Sequence, residues 1–120
     1  WGDKVLEITA GSGANVIVEV GGSGTLPQSV RAVAMGGHIS MIGVLTGMQG
    51  DVSTVELFQK NAVISGITVG SRAHQQDMIK AINTNGIKPV IDRSFDLEAL
   101  AEAFRLQESQ QHFGKICLNF

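Results

Sequence analysis

With 120 residues, the chain is long enough for one layered core and too short for two. Hydrophobic residues make up 43% of it and charged residues 17%, which points to a folded globular domain rather than a disordered tail. The net charge of −2 is spread without any basic run, and five Phe, one Trp and no Tyr leave no base-stacking platform, so nucleic acid is excluded as the main partner.

The one cysteine, Cys117, excludes an internal disulfide and a cysteine-rich zinc site. Set in the apolar run Ile116-Cys117-Leu118, it reads as a small buried hydrophobe rather than a nucleophile. No stretch approaches the roughly 18 apolar residues of a membrane span, and none reads as a signal peptide. A cytoplasmic location without a membrane partner is therefore the expectation. The opening Trp1-Gly2-Asp3, with no initiator Met, reads as the interior of a longer polypeptide.

In chain order, Asp3 is placed to cap a short helix that runs through Thr9 and stops at Gly11. Asn15 to Val20 is short and dense in valine, as a strand buried on both faces would be. Thr25 and Gln28 have capping-box spacing, and Pro27 falls in the first turn of the helix they open, which is expected to end near Met35. Gly36-Gly37 breaks the chain before a second strand, His38 to Val44. Ser53 and Glu56 form another capping box ahead of a helix to about Lys60, and Ala62 to Val69 reads as a third strand. Gly70-Ser71 opens a helix that carries Met78, Ile79 and Ile82 and ends at Asn85-Gly86. An extended piece around Pro89-Val90-Ile91, a helix from Asp96 to about Glu108 and a last strand, Lys115 to Phe120, complete the chain.

Short apolar strands alternating with helices imply βαβ crossovers, a parallel sheet and an α/β fold with helices on both faces. Ligands of such folds bind beyond the carboxyl ends of the strands. That directs attention to three loops, Gly21 to Gly24, Gly43 to Gly50 and Gly70 to Arg72.

None of these loops carries a complete phosphate motif. The dinucleotide fingerprint G-x-G-x-x-G needs a tight turn, room for a pyrophosphate and close helix packing, each from one glycine. Gly22-Ser23-Gly24 supplies two of these, and the third position is Pro27. Gly11 and Gly13 precede a strand rather than follow one, and no Gly-Lys-Ser/Thr of a P-loop occurs. The run His38 to Val44 holds no acidic residue to grip a ribose. On the residues alone, the Gly21 to Gly24 turn reads as a sharp strand-to-helix connection in preference to a phosphate cradle.

The ordered motifs "VIVEVGGSGTLPQSVRAVAMGGHISMIGVLTG", "ISGITVGSR" and "QHFGKICLNF" resemble the C-terminal part of zinc-type, medium-chain alcohol dehydrogenases and quinone oxidoreductases. Nearly the whole chain is covered, and the order and spacing of the motifs carry the specificity. The resemblance implies a partial Rossmann-like parallel sheet, the last three strands of a six-stranded dinucleotide-binding domain. Residues 1–86 would form the C-terminal half of that domain, and residues 87–120 a C-terminal segment returning toward the catalytic domain. It also implies an NAD or NADP cofactor, with hydride transfer to or from an alcohol, aldehyde or quinone in the intact parent.

Carried over by position, Val20, Gly21 and Gly22 would lie beside the nicotinamide ribose. Ile42, Gly43 and Val44 would offer backbone groups to the nicotinamide, and Val69 with Gly70 would flank its carboxamide. Lys115 falls where the family places a basic residue near the pyrophosphate; without the resemblance it reads as a solvated lysine at a strand start. The glycine fingerprint, the ribose-binding acid, the zinc ligands and the proton relay of the family have no counterpart here. His38, His74 and His112 are too dispersed for a zinc site and read as surface residues, and Asp77, Asp92, Glu98 and Glu102 as capping or solvated carboxylates. The chain is thus expected to be inactive alone, with zinc held only in the parent's other domain. The outer strand runs lack an interior Lys or Pro, so a homodimer through Ala62 to Val69 is expected. The rival reading is a small self-sufficient α/β interaction module that acts through its exposed strand edges.

Overall fold

The valine-rich runs, separated by helices, do build a parallel sheet. In the computed structural model, which describes residues 1–120, the strands Ala14–Glu19 (β1), Val33–Met41 (β2) and Val63–Gly66 (β3) lie in that order. All pair in parallel, with Val16 opposite His38 and Ile39 opposite Ile64. Helices Gly2–Ile8 (α1), Leu26–Ala32 (α2) and Thr54–Gln59 (α3) complete a first compact unit, Trp1–Val69.

The second unit, Gly70–Phe120, begins with helix Arg72–Asn85 (α4). Strand Ile91–Asp96 (β4) follows, then a 3-10 turn at Leu97–Ala99 that leads into helix Leu100–Ser109 (α5), then strand Lys115–Asn119 (β5). β4 and β5 pair in parallel as a separate two-stranded sheet, with α5 as the crossover. The α/β class is therefore present in both units.

The core of the first unit lies on one side of its sheet. Leu26 and Val30, one helical turn apart on α2, are buried with Val33 and Ile39 of β2. Ile17, Met41, Val52, Leu57, Ala62 and Ile64 close around them. Period-two alternation sends Val16 and Val18 to the opposite face, where each remains 64% exposed. The expectation of a first strand buried on both faces is thereby corrected. In the first unit only the face turned to α2 and α3 is closed.

Several boundaries also differ from the sequence reading. α2 stops at Ala32, not near Met35, because Val33 turns extended (φ −66°, ψ 142°) and pairs with Ala14. Lys60 finishes that helix, its Nζ donating to the carbonyls of Val30 (3.0 Å) and Arg31 (2.6 Å). Ile42 to Val44 lie beyond the end of β2, and β3 is shorter than Ala62 to Val69.

The capping predictions divide. Half of the Ser53–Glu56 box forms, with Ser53 accepting from the Glu56 N–H at 3.3 Å; Ser71 opens α4 as expected and makes with His74 a complete capping box that the sequence did not signal. Gly86, left-handed at φ 61°, ends α4 as expected. Asp3 does not cap α1; Trp1 holds that position, and Asp3 pairs instead with Arg31 of α2. The Thr25–Gln28 box does not form either, because both side chains have longer-range partners. Gln28 Oε1 accepts from the Gly2 N–H at 2.8 Å, and Thr25 turns toward β1.

Candidate functional site

At the carboxyl ends of β1 and β2 the two glycine loops of the first unit close on each other. Thr46 is the clasp. Its N–H donates to the Gly21 carbonyl at 2.7 Å, its hydroxyl donates to the same oxygen at 2.8 Å, and the hydroxyl accepts from the Gly24 N–H at 2.8 Å. Gly22 is left-handed at φ 87°, and a Cβ there would lie 2.8 Å from the Val44 Cα. A Cβ on Gly43 would collide with the carbonyl of Val20. Both glycines are therefore required by backbone-to-backbone packing, whatever else they contact.

The buried group at the centre of these loops is Glu19, the last residue of β1 and only 3% exposed. Its Oε1 accepts from the N–H groups of Gly21 (2.8 Å) and Gly22 (3.1 Å) and from the Thr25 hydroxyl (2.5 Å). Its Oε2 accepts from the hydroxyl of Ser29, which is fully buried on α2. The ion pairs of the chain lie elsewhere, at Lys4–Glu7, Arg31–Asp3 and Lys80–Asp77, so neutral donors alone hold this charge. Burial by itself raises the Glu19 pKa, but the bonds from Ser29, Thr25, Gly22 and Gly21 outweigh it and hold the carboxyl below its ordinary value. The main chain of Glu19 is engaged as well, since its carbonyl accepts from the N–H groups of Ile42 (2.9 Å) and Gly43 (3.2 Å).

This arrangement explains what the Gly21–Gly22 turn is. Its convergent N–H groups do form an anion cradle, and the chain fills that cradle with its own carboxylate. A pyrophosphate has no vacant donors to meet there.

Of the residues predicted from the sequence, the structure brings together Val20, Gly21, Gly22, Ile42, Gly43 and Val44. Gly21 and Gly22 are buried, and the side chains of Val20, Ile42 and Val44 are about half exposed beside them. Because the N–H groups of Ile42 and Gly43 are spent on Glu19, what these residues can offer a ligand is carbonyl oxygen and apolar surface. Val69 lies beyond the end of β3 and is exposed. Gly70 and Lys115 belong to the second unit; Gly70 precedes the N-cap of α4, and Lys115 opens β5 with its N–H donating to Val90 at 2.8 Å.

Glu19, Ser29 and Thr46 take no site role from the sequence, and Thr25 reads there only as a helix cap. One signal for them was present: an acidic residue closing an otherwise apolar strand directly before two glycines. No three His, Cys, Asp or Glu side chains converge anywhere in the chain, so its donor set does not fit a zinc ion. No helix is long and apolar enough to cross a membrane.

A zinc-type alcohol dehydrogenase-like protein of Schizosaccharomyces pombe is 39% identical over 98% of the chain. A quinone oxidoreductase-like protein 2 homolog of Nematostella vectensis is 28% identical over the same share. The chain spans about a third of these relatives, 35% of each. Among solved structures, a Sinorhizobium meliloti protein assigned as an alcohol dehydrogenase superposes on the whole chain with a TM-score of 0.83 at 37% identity, and the chain covers 35% of it. An NAD-dependent alcohol dehydrogenase gives 0.78 at 30% identity, again with the whole chain matched and 35% of that structure covered. The family model for zinc-binding dehydrogenases matches residues 2–118, and the chain belongs to that family.

Proposed function

We propose that this chain forms the nicotinamide side of the cofactor pocket in a longer, NAD(P)-dependent zinc-type oxidoreductase. The activity proposed for that enzyme is hydride transfer between the nicotinamide and an alcohol, aldehyde or quinone. One observation carries the reading. The half-exposed Val20, Ile42 and Val44 rim a pair of tightly packed glycine loops whose turn N–H groups are already satisfied. Such a rim suits a flat, weakly polar ring and its ribose, and does not suit a pyrophosphate. The similarity to an NAD-dependent alcohol dehydrogenase and to a quinone oxidoreductase-like protein supports the same reaction class.

In this reading Val20, Gly21 and Gly22 bound the nicotinamide ribose, and Ile42, Gly43 and Val44 back the ring. The proposed contact of Val69 and Gly70 with the carboxamide, and of Lys115 with the pyrophosphate, rests on the family resemblance alone. So does the division into residues 1–86 as half of a dinucleotide-binding domain and 87–120 as a segment returning toward the catalytic domain. A zinc ion, when bound elsewhere in such an enzyme, polarises the substrate oxygen as a Lewis acid. The residues of this chain contribute to binding and orientation only.

The test is cofactor titration and a hydride-transfer assay on short alcohols and quinones, with the full-length protein beside the 120-residue chain. The full-length protein is expected to bind NADH or NADPH and turn over, and the chain alone to be inactive. A full-length protein that binds neither nucleotide overturns the reading.

A further inference from the structure

Glu19 touches four of the six clustered pocket residues at once. Its carboxylate holds the N–H groups of Gly21 and Gly22, and its carbonyl holds those of Ile42 and Gly43. A buried carboxylate is tolerable only while its donors all point at it. Those donors, in turn, are drawn into one conformation by the charge. All four come from the stretch between Gly21 and Ser29, which runs from the turn after β1 into α2: two backbone N–H groups, the Thr25 hydroxyl and the Ser29 hydroxyl. With no lysine or arginine pairing with it, nothing but this turn neutralises the charge. Replacement by a smaller neutral side chain would leave convergent donors facing a void, which is a receptor for a small anion.

We propose that Glu19 is a positioning residue: its carboxylate acts as a built-in anion that fixes the Gly21–Gly22 turn against Ile42 and Gly43, and so sets the wall of the nicotinamide pocket. The link to cofactor binding rests on the function proposed above; the hold on the turn does not. Glu19 itself meets neither cofactor nor substrate. It works through Gly21 and Gly22.

The experiment uses the full-length protein with Glu19→Ala and Glu19→Gln, and compares sodium formate with sodium chloride at equal ionic strength. In Glu19→Ala, NADH or NADPH binding is expected to weaken by on the order of tenfold, because a displaced wall costs affinity steeply. Formate, entering the vacated cradle, should restore most of that affinity and raise the melting temperature, and chloride should do so less. Wild type should respond equally to the two salts. A folded Glu19→Ala protein with wild-type affinity, or a weakened one that formate helps no more than chloride, overturns the proposal. Should Glu19→Ala fail to fold, Glu19→Gln decides, since it keeps the volume and loses the charge; unchanged cofactor affinity in that variant is equally fatal. If wild type binds neither nucleotide, the function proposed above fails, and formate-specific recovery of melting temperature still decides whether Glu19 holds the turn.

Discussion

Ser29, one turn into α2, donates its hydroxyl to the carboxylate of Glu19 at the end of β1, and both residues are buried. The bond ties the helix to the strand whose turn it covers. Ser29→Ala leaves Oε2 without this donor and should destabilise the protein by about 1.5–3 kcal/mol, the range for hydrogen bonds to charged groups. Urea denaturation with an unchanged m-value is the measurement; a loss within experimental error would mean that water replaces the hydroxyl at no cost.

The same carboxylate makes stability depend on pH. Its folded-state pKa is depressed, so the unfolded state takes up a proton first as the pH falls. The stabilisation is fully present above the unfolded value of about 4.3 and disappears as the pH drops through the lower folded value. Denaturation midpoints between about pH 3 and pH 6 should therefore fall more steeply for wild type than for Glu19→Gln, which has nothing to titrate there. Parallel curves for the two proteins would remove Glu19 from the acid response.

Gly43 separates packing from ligand contact. The resemblance sets the Gly43 backbone against the nicotinamide, which by itself implies that a side chain there harms cofactor binding more than the fold. The structure puts the Val20 carbonyl where that Cβ would go, so the first thing displaced is the end of β1. Gly43→Ala should accordingly cost about 1–3 kcal/mol as overpacking and lower cofactor affinity in the same variant. Wild-type thermal stability with lost affinity would return Gly43 to a purely ligand-facing role.

The dimer expected through Ala62 to Val69 can be tested with a proline on the free edge of β3. The Ile67 N–H donates inward to the Met41 carbonyl at 2.9 Å, so Ile67→Pro would damage the sheet rather than an interface. Alternation turns the Gly66 N–H to the free edge, and no neighbour lies within 4 Å of a Cβ there. Gly66→Pro should shift the sedimentation of the full-length protein toward monomer at micromolar concentration, with little change in melting temperature. Wild-type protein that sediments as a monomer throughout refutes the dimer.

The 120-residue chain should hold no stoichiometric zinc, since its histidines and carboxylates do not converge. Metal analysis of protein purified without a metal-affinity tag checks this. Zinc near one per chain, lost on replacing His38, His74 and His112, would contradict it.

Local chemistry was legible in the sequence wherever its partners lie within a few residues. Ser53 caps its helix through the Glu56 N–H, Ser71 opens α4 and Gly86 closes it as the sequence implies, because a cap is satisfied within one turn of its own helix; the reciprocal Glu56 bond of a full box is absent, and nothing in the sequence signals the box that Ser71 makes with His74. Short apolar strands separated by helices likewise sufficed for a parallel sheet and an α/β fold, and the motif order for the family. Tertiary structure decided the rest. Thr25 has capping-box spacing with Gln28, yet its hydroxyl turns to donate to a buried carboxylate six residues upstream, and the Gln28 N–H goes to the Thr25 carbonyl instead of the side chain. The pairing of β4 with β5 spans a whole helix, and the strand composition of either segment does not announce it. Glu19 reads in the sequence as one charge on an edge strand. Only the folding of Gly21, Gly22, Thr25 and Ser29 around it turns what reads as a sharp strand-to-helix connection into an anion cradle already filled, because the direction of an N–H group is a property of the folded backbone and not of the residue that carries it.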